Sequence, residues 1–179
     1  NVEGLFPKPW RFTYVVELPD KPEKLRFGDS RNHYRIKWAV NKANKMGLRV
    51  RPAETESDLR AWYQLYMETM QDNAVPPRPY RLFEALWALA RVRNLMWLLL
   101  AEQHEGGSRK LVAGSMFFMF NQTAFYAFNG VNRNAFPLRA NDLLQWHALH
   151  EACSRGFRWY DLGEVPEKHA HLADFKSKW

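Results

Sequence analysis

Three near-continuous apolar segments between residues 95 and 131 constrain the fold of this chain most strongly. They are LMWLLLAE, LVAGSMFFMF and AFYAFNG, and the short turn sequences HEGGSRK and NQT separate them. Runs without polar alternation are typical of strands that are buried on both faces, and short connections favour antiparallel neighbours. The segment therefore predicts a three-stranded antiparallel meander at the centre of a sheet.

Helices and further strands surround this meander. A strand is predicted at residues 11–18, a linker after it, a helix at 31–45 and a strand at 47–53. Thr55 to Asp58 resembles a capping box, with Asp in place of Glu, that starts a helix at residue 56, and Pro79 marks the first turn of another. A helix at 139–155 and the strand FRWYDL follow the meander. This order predicts an α/β fold of the α+β type with a mixed sheet and flanking helices.

Composition narrows the class of protein. The 179 residues are 46% hydrophobic and carry a net charge of +7, which favours anionic partners such as RNA, anionic membranes or phosphorylated substrates. The apolar run from Leu95 to Ala101 is far shorter than the roughly 18 residues of a membrane span. A single cysteine, Cys153, rules out a thiolate zinc site and is consistent with a reducing cytoplasm. We expect no bound metal.

The helix at 31–45 concentrates its charge on one side. Its apolar stripe lies opposite a face that has cations and one indole but no acid: Arg31, Arg35, Trp38, Lys42 and Lys45. Solvated faces usually mix charges, because Glu–Lys pairs four residues apart stabilise a helix. Two interpretations stay open. The face is either an ordinary solvated surface or a surface that contacts phosphates and stacks on a base.

Two amides break the apolar arc of the helix at 139–155. Asn141 and Gln145 face inward, where a polar group needs a partner. They either bond to the backbone of neighbouring strands or line a cleft at the start of this helix. If the last strand runs parallel to the third meander strand, ligands bind at the carboxyl ends of the two strands. Asn129, Asp161 and Glu164 then converge with Asn141, provided that the two strands diverge around the start of the helix.

Motif searches exclude several enzyme classes. The chain has no G-x-S-x-G elbow, no P-loop, no dinucleotide-binding G-x-G-x-x-G and no H-E-x-x-H. His147 and His150 lie on the polar side of their helix, which indicates surface positions.

Four segments resemble the second half of FemAB-like proteins: RNHYRIKWAVNKANKMGLRV, AGSMFFMFNQTAFYAFNG, NDLLQWHALHEACSRGFRWYDLGEV and HLADFKSKW. This family comprises the bacterial peptidoglycan bridge-forming aminoacyltransferases of cell-wall biogenesis and their GNAT-fold relatives. The resemblance implies a GNAT-like sheet, incomplete at both ends. It further implies that residues 1–28 are the tail of a preceding GNAT-like domain, 29–46 a basic connecting helix, and 47–179 a GNAT-like acyltransferase domain without its last strands. An exposed sheet edge of this kind favours pairing with a second copy.

The resemblance also implies a function. Such proteins transfer an aminoacyl or acyl group from an activated donor, here aminoacyl-tRNA, to an amine of a cell-envelope or peptidoglycan precursor in the cytoplasm, without a permanently bound cofactor. Lys176 of FKSKW is then the catalytic cation that stabilises phosphate or the oxyanion. Asp161 or Glu164 is a candidate general base. The substrate pocket is predicted to consist of Tyr126, Asn129, Asn141, Gln145 and Lys178.

Two alternatives to aminoacyl transfer follow from the residues. The first is a GNAT N-acetyltransferase that uses acetyl-CoA, although the segment NRNAFPLRAND lacks the [RQ]-x-x-G-x-[GA] loop that binds pyrophosphate. The second is a module without catalysis, in which the basic helix binds RNA or another anion and the GNAT cleft is vestigial.

Overall fold

The computed structural model describes residues 12–165 and 170–179, and the strands in these ranges form one six-stranded sheet in the order β1-β6-β5-β4-β3-β2. β5 and β6 are parallel, and all other neighbouring strands are antiparallel. The predicted meander is thereby confirmed as β3, β4 and β5. The strand bounds are β1 Thr13–Glu17, β2 Leu48–Pro52, β3 Met96–Glu105, β4 Ser108–Phe120, β5 Thr123–Val131 and β6 Trp159–Glu164.

Helices cover both faces of the sheet. α1 and α4 pack with one hydrophobic cluster, and α2 and α3 pack with the other. The helix bounds are α1 His33–Lys45, α2 Glu56–Asp72, α3 Tyr80–Leu86, α4 Ala140–Ser154 and α5 Ala170–Ser177; a π-helical turn, Trp87–Arg91, continues α3, and short 3-10 helices span Pro22–Lys24 and Arg133–Leu138. The mixed α/β architecture agrees with the fold class predicted from the sequence. Of the helices described, none is long and apolar enough to cross a membrane.

The continuous apolar sequence of β3 follows from its central position. Met96, Leu98 and Leu100 pack in the cluster of α2 and α3, whereas Trp97 and Leu99 pack in the cluster of α1 and α4. Alternate residues of a strand point to opposite faces, so a strand that is covered on both faces needs apolar residues throughout.

The predicted capping box at the start of α2 is confirmed. The Thr55 side chain accepts a hydrogen bond from the Asp58 N–H, and the Asp58 carboxylate accepts one from the Thr55 N–H. Asp58 also forms an ion pair with Arg51 of β2 at 2.7 Å. The Arg51 guanidinium holds the pKa of Asp58 well below its usual range. The cap therefore fixes α2 against β2 as well as starting the helix.

The predicted tail of a preceding domain, residues 1–28, is described from residue 12 onward and includes β1. β1 is hydrogen-bonded to β6, with Val15 opposite Asp161 and Glu17 opposite Trp159. α1 packs against α4 of the same unit. The chain from Thr13 to Lys45 is therefore part of the same sheet-and-helix layers as the rest. The assignment of residues 1–28 to a preceding domain stays a prediction. Pairing between strands so far apart in sequence leaves no local pattern.

Candidate active site

β5 and β6 separate at their carboxyl ends. They pair from Thr123 with Trp159 to Phe125 with Asp161. Beyond Phe125, β5 continues along β4 to Val131, while β6 continues along β1 to Glu164. The divergence that we expected around the start of α4 is thus present. An opening of this kind at the carboxyl ends of parallel strands is where α/β sheets bind ligands.

Lys176 of α5 lies at this opening. Its Nζ donates hydrogen bonds to the carbonyl oxygens of Gly163, at 3.1 Å, and Glu164, at 2.9 Å. The same nitrogen lies 5.8 Å from the ring centroid of Tyr126 on β5. Lys176 is only 6% exposed, and this burial lowers its pKa to about 8, although the charges of Asp161 and Glu164 oppose the shift. The site therefore holds a buried ammonium group whose pKa is lowered towards neutral pH.

Gly163 allows β6 to approach Tyr126 closely. Its φ of +76° lies in the left-handed region, and a Cβ atom there would be 2.9 Å from the Tyr126 carbonyl oxygen and 3.5 Å from Lys176 Nζ. A Cβ atom would therefore be too close to the Tyr126 carbonyl oxygen and would just touch Lys176 Nζ. Because Gly163 has no side chain, β6 can take this conformation, in which the Gly163 carbonyl accepts a hydrogen bond from Lys176.

The two candidate bases occupy different environments. Asp161 Oδ1 accepts hydrogen bonds from the Thr13 hydroxyl and from the Gly163 N–H, the latter at 2.7 Å. Asp161 thereby joins β1 to the turn that presents Gly163 to Lys176. The Glu164 side chain is exposed, and its backbone carbonyl binds Lys176. The geometry indicates a positioning role for Asp161 and does not single out either carboxylate as a general base.

Lys178 forms a buried ion pair with Asp142 in the first turn of α4. Both side chains are 5% exposed. Burial lowers the pKa of Lys178, and the Asp142 carboxylate opposes that shift. Lys178 Nζ also lies 4.3 Å from the ring centroid of Phe175. The predicted substrate ligand Lys178 therefore fastens α5 to α4 at the edge of the site.

A cleft of about 1260 Å³ runs between α2, β5, α4 and α5. It brings together four of the predicted pocket residues, Tyr126, Asn129, Asn141 and Lys178, with Arg35 of α1. Further lining residues that the sequence analysis did not select are Arg78, Phe136, Arg139, Asp142 and His171. Asp174 pairs with Arg35 at 2.6 Å and Asp142 with Lys178, so Arg78 and Arg139 give the cleft an excess of positive charge.

The two inward amides of α4 behave differently from each other. Gln145 is fully buried, and its Oε1 accepts a 2.6 Å hydrogen bond from the Tyr160 hydroxyl. Asn141 lines the cleft. The buried atoms Gln145 Nε2 and Asn141 Oδ1 have no hydrogen-bond partner among the described residues. Asn141 therefore agrees with the interpretation that these amides line a cleft. Gln145 does not line the cleft and instead bonds to Tyr160 of β6 behind it.

Two polar side chains of β4 and β5 are hydrogen-bonded beside the cleft. Ser115 Oγ donates a 3.0 Å hydrogen bond to Asn129 Oδ1. Burial raises the pKa of Tyr126, and its polar neighbours Ser115 and Gln145 act in the opposite direction. The Tyr126 phenol therefore stays protonated.

The cationic face of α1 meets the mouth of the cleft at Arg35 and Trp38. Arg35 lines the cleft, and the Trp38 ring has Lys42 Nζ and the Arg139 guanidinium carbon each 5.3 Å from its centroid. Arg139 directly precedes α4 and has a φ of +63°. Lys45 is exposed at the end of this helix, and Arg31 is exposed two residues before its start, which lies at His33 and not at residue 31 as predicted. The face is thus continuous with the cleft, and its binding to phosphates or RNA stays a prediction.

The start of α4 differs from a preformed pyrophosphate site. The preceding residues, Arg133–Leu138, form a 3-10 helix that contains Pro137. The buried Asp142 carboxylate already lies in the first turn of α4. Anions bind helix N-termini through free backbone N–H groups, and a glycine-rich loop usually adds more of them. The residues here do not supply such a loop.

This fold and opening define an acyltransferase of the GNAT class. The chain belongs to the Acetyltransferase (GNAT) domain family, which matches residues 30–177. No curated protein matches the chain in sequence.

Solved structures support a FemAB-like form of this fold. FemX aligns with a TM-score of 0.80 and 15% identity, over 93% of this chain and 57% of FemX. The C-terminal domain of a putative lysylphosphatidylglycerol synthetase from Agrobacterium fabrum aligns with a TM-score of 0.62 and 10% identity, over 94% of this chain and 52% of that one. The ribosomal-protein-S18-alanine N-acetyltransferase from Escherichia coli aligns with a TM-score of 0.52 and 15% identity, over 72% of this chain and 75% of that one. This chain therefore spans little more than half of FemX.

Proposed function

We propose that this domain transfers an aminoacyl group from aminoacyl-tRNA to a primary amine of a peptidoglycan or other cell-envelope precursor. The observation that carries the proposal is the separation of β5 and β6, with the Lys176 ammonium bound to the carbonyls of Gly163 and Glu164 at the end of β6. The likeness in fold to FemX and to lysylphosphatidylglycerol synthetase supports aminoacyl transfer. Such a donor assigns the reaction to the cytoplasm.

The chemistry requires a carbonyl carbon and a neutral amine in contact. The amine nitrogen attacks the ester carbonyl carbon, a C–N bond forms, and the carbonyl electron pair moves to oxygen as an oxyanion. Collapse of this intermediate breaks the bond to the ribose oxygen, which leaves with the proton that the amine loses. A positive charge beside the oxyanion lowers the energy of this intermediate.

Lys176 is suited to that position. The carbonyls of Gly163 and Glu164 accept two hydrogen bonds from an ammonium group that offers three N–H donors. We assign the third donor to the substrate oxygen. Because two backbone carbonyls fix the nitrogen, little reorganisation is needed as the oxyanion forms.

The anionic donor is assigned to the basic side of the site. Arg78 and Arg139 lie in the cleft, and α1 carries its cations from Arg35 at the mouth towards Lys45. In the proposal, the aminoacyl end enters the cleft while phosphates of the acceptor arm lie along α1. Replacing Arg31, Arg35, Lys42 and Lys45 together by Gln is then expected to weaken tRNA binding and to reduce its dependence on salt. An unchanged salt dependence would remove α1 from the interface.

The central test is transfer of a labelled aminoacyl group from tRNA to a muropeptide amine. Replacing Lys176 by Met is expected to lower turnover about 10²- to 10³-fold, as the loss of one oxyanion donor does elsewhere. Lys110→Met, at an exposed lysine of β4, is the matched control and retains turnover. Normal turnover by Lys176→Met would exclude Lys176 from the mechanism.

A second candidate function is an N-acetyltransferase that uses acetyl-CoA, which the family match favours. The residues before α4 argue against a preformed site for this donor. Calorimetry separates the two functions, since acetyl-CoA binding that persists in high salt would support the second candidate. Binding of aminoacyl-tRNA that weakens steeply with salt would support the first.

A further inference from the structure

A second feature of the molecule lies at the end of the sheet opposite the cleft. β3, β5 and β6 begin there and β4 ends there. Met119 N–H donates to the Leu95 carbonyl at 2.9 Å, and the N–H groups of Arg158 and Trp159 both donate to the Gln122 carbonyl, at 2.9 and 3.0 Å. These bonds hold the strand ends and their turns together as one surface.

Large apolar side chains are exposed on this surface. Phe120 is 83% exposed, Val92 78%, Leu89 63% and Leu95 45%. Single exposed apolar residues are ordinary, but a concentration of them at one end of a molecule marks a contact surface.

Arginines lie among these apolar residues. Arg91, Arg93, Arg155 and Arg158 are all exposed. Arg155 pairs with Glu151 at 2.7 Å and Arg158 with Glu17 at 3.3 Å, so positive charge is in excess. We call Leu89, Val92, Leu95 and Phe120, together with these four arginines, the distal patch.

A cavity of about 480 Å³ opens beside the distal patch. Two arginine–tryptophan pairs line it: the Arg91 guanidinium lies 4.6 Å from the Trp87 ring centroid, and that of Arg155 lies 4.5 Å from the Trp97 centroid. Met96 and Leu98 add apolar surface. Arg51, Arg91 and Arg155 line the cavity together with Glu54 and Glu151, so cations exceed carboxylates there. The cavity thus combines an excess of cations with apolar walls, as suits an anionic headgroup attached to a hydrocarbon chain.

We propose that the distal patch binds the surface of an anionic phospholipid bilayer. Phe120, Val92 and Leu89 enter the boundary between headgroups and acyl chains, while Arg91, Arg93 and Arg155 face the phosphates. Aliphatic side chains such as Val92 and Leu89 do not stack on bases, so the patch suits a lipid surface better than RNA. The face of α1, with Trp38 among its cations, has the opposite character.

Co-sedimentation of the 179-residue chain with lipid vesicles tests this proposal. We expect binding to phosphatidylcholine vesicles that contain phosphatidylglycerol, little binding to phosphatidylcholine alone, and weakening with salt. Two double variants, Phe120→Ser with Val92→Ser and Arg91→Gln with Arg93→Gln, are each expected to weaken binding by about tenfold or more. Because these side chains are exposed, circular dichroism should show an unchanged fold.

The control variants change residues at the start of β4 and on α1. Arg109→Gln with Lys110→Gln removes two exposed cations, and Tyr34→Ser removes an 81% exposed aromatic ring. Both should bind vesicles like the original chain. The proposal is overturned if the original chain does not bind anionic vesicles, or if patch and control variants lose binding equally. Sedimentation that shows a dimer lost with Phe120→Ser would assign the patch to a second copy instead. Vesicle binding needs no turnover, so its failure is separate from failure of the proposed transfer reaction.

Discussion

The regions around Lys176 and Lys178 place two nearby lysines, one in the last turn of α5 and one directly after it, in different electrostatic settings. Their exposures are nearly equal, at 6% and 5%. Lys178 meets the Asp142 carboxylate directly, whereas Lys176 meets two backbone carbonyls. Burial lowers the pKa of both lysines, but only the Lys178 charge has a bonded counter-ion within the described residues. Equal burial therefore produces a structural ion pair at one residue and an available cation two residues earlier.

The largest effect that we expect comes from breaking the ion pair. Lys178→Met leaves the Asp142 carboxylate buried and unpaired, which should lower the free energy of unfolding by about 3–5 kcal/mol in urea titrations. The double variant Lys178→Met with Asp142→Leu should recover most of that loss. Lys24→Met, at an exposed pair, serves as control and should unfold like the original chain. A double variant as unstable as the single one would show that the side chains act by packing rather than charge.

The second effect concerns the pH dependence at Lys176. Its pKa is about 8 in the folded protein and 10.5 ordinarily. Below about pH 8 the lysine is charged in both the folded and unfolded chains, so burial of the charge lowers the free energy of unfolding by its full amount. Between the two values the folded protein loses the proton first, so stability should rise with pH by roughly 3 kcal/mol relative to Lys176→Met.

Turnover should change in the opposite direction over this range. If the ammonium stabilises the oxyanion, kcat falls as the pH rises through about 8, while stability increases. The stability prediction is contradicted if the free energy of unfolding, measured by denaturant titration, depends on pH in the same way for the original chain and for Lys176→Met.

A third, smaller effect comes from the backbone near Lys176, which we compare at Gly163 with an ordinary turn at Gly156. Gly163→Ala should lower the free energy of unfolding by about 1–3 kcal/mol and also reduce turnover, because the new Cβ meets Tyr126 and Lys176. Gly156 has a similar φ of +78° with open space around its Cβ position. Gly156→Ala should therefore cost only about 1 kcal/mol, with turnover retained. Equal effects of the two variants on turnover would show that the Gly163 carbonyl does not position Lys176.

The smallest effect is an electrostatic adjustment through Asp161. Thr13→Val removes the hydroxyl that bonds to Asp161 Oδ1, which leaves more negative charge acting on Lys176. We expect the pKa of Lys176 to rise, seen as a shift of the kcat profile to higher pH, with Thr13→Ser unchanged. A shift to lower pH would mean that Asp161 does not act on Lys176 through its charge.

Local patterns predicted the parts of the fold that local interactions determine. The meander, the capping box at Thr55 and the apolar side of α4 depend on neighbours within a few residues or within one strand. The position of β1 depends instead on pairing with β6, where Thr13 and Asp161 are 148 residues apart. Sequence periodicity carries no information on such a pairing, so the place of β1 in this sheet could not be predicted.

The candidate site divides in the same way. Asn129 was selected because parallel strands bring their carboxyl ends to one edge, and Asn141 because it interrupts the apolar arc of its helix. Tyr126 followed from the family resemblance. All three line the cleft, and their roles in binding stay predictions. Asp142 could not be predicted, because its partner is 36 residues away and nothing in the segment NDLL marks a buried carboxylate. The φ of +63° at Arg139 was equally invisible, since arginine has no preference for that conformation.

The three residue pairs between β5 and β6 also affect motion. They are the parallel seam that joins the β1–β6 ribbon to the four-stranded remainder of the sheet. A short seam opens at lower free energy than the ten-residue ladder between β3 and β4. We expect amide hydrogens of β6 to exchange with solvent as a unit while those of β3 and β4 stay protected, so that the molecule can widen its own entrance without melting its core.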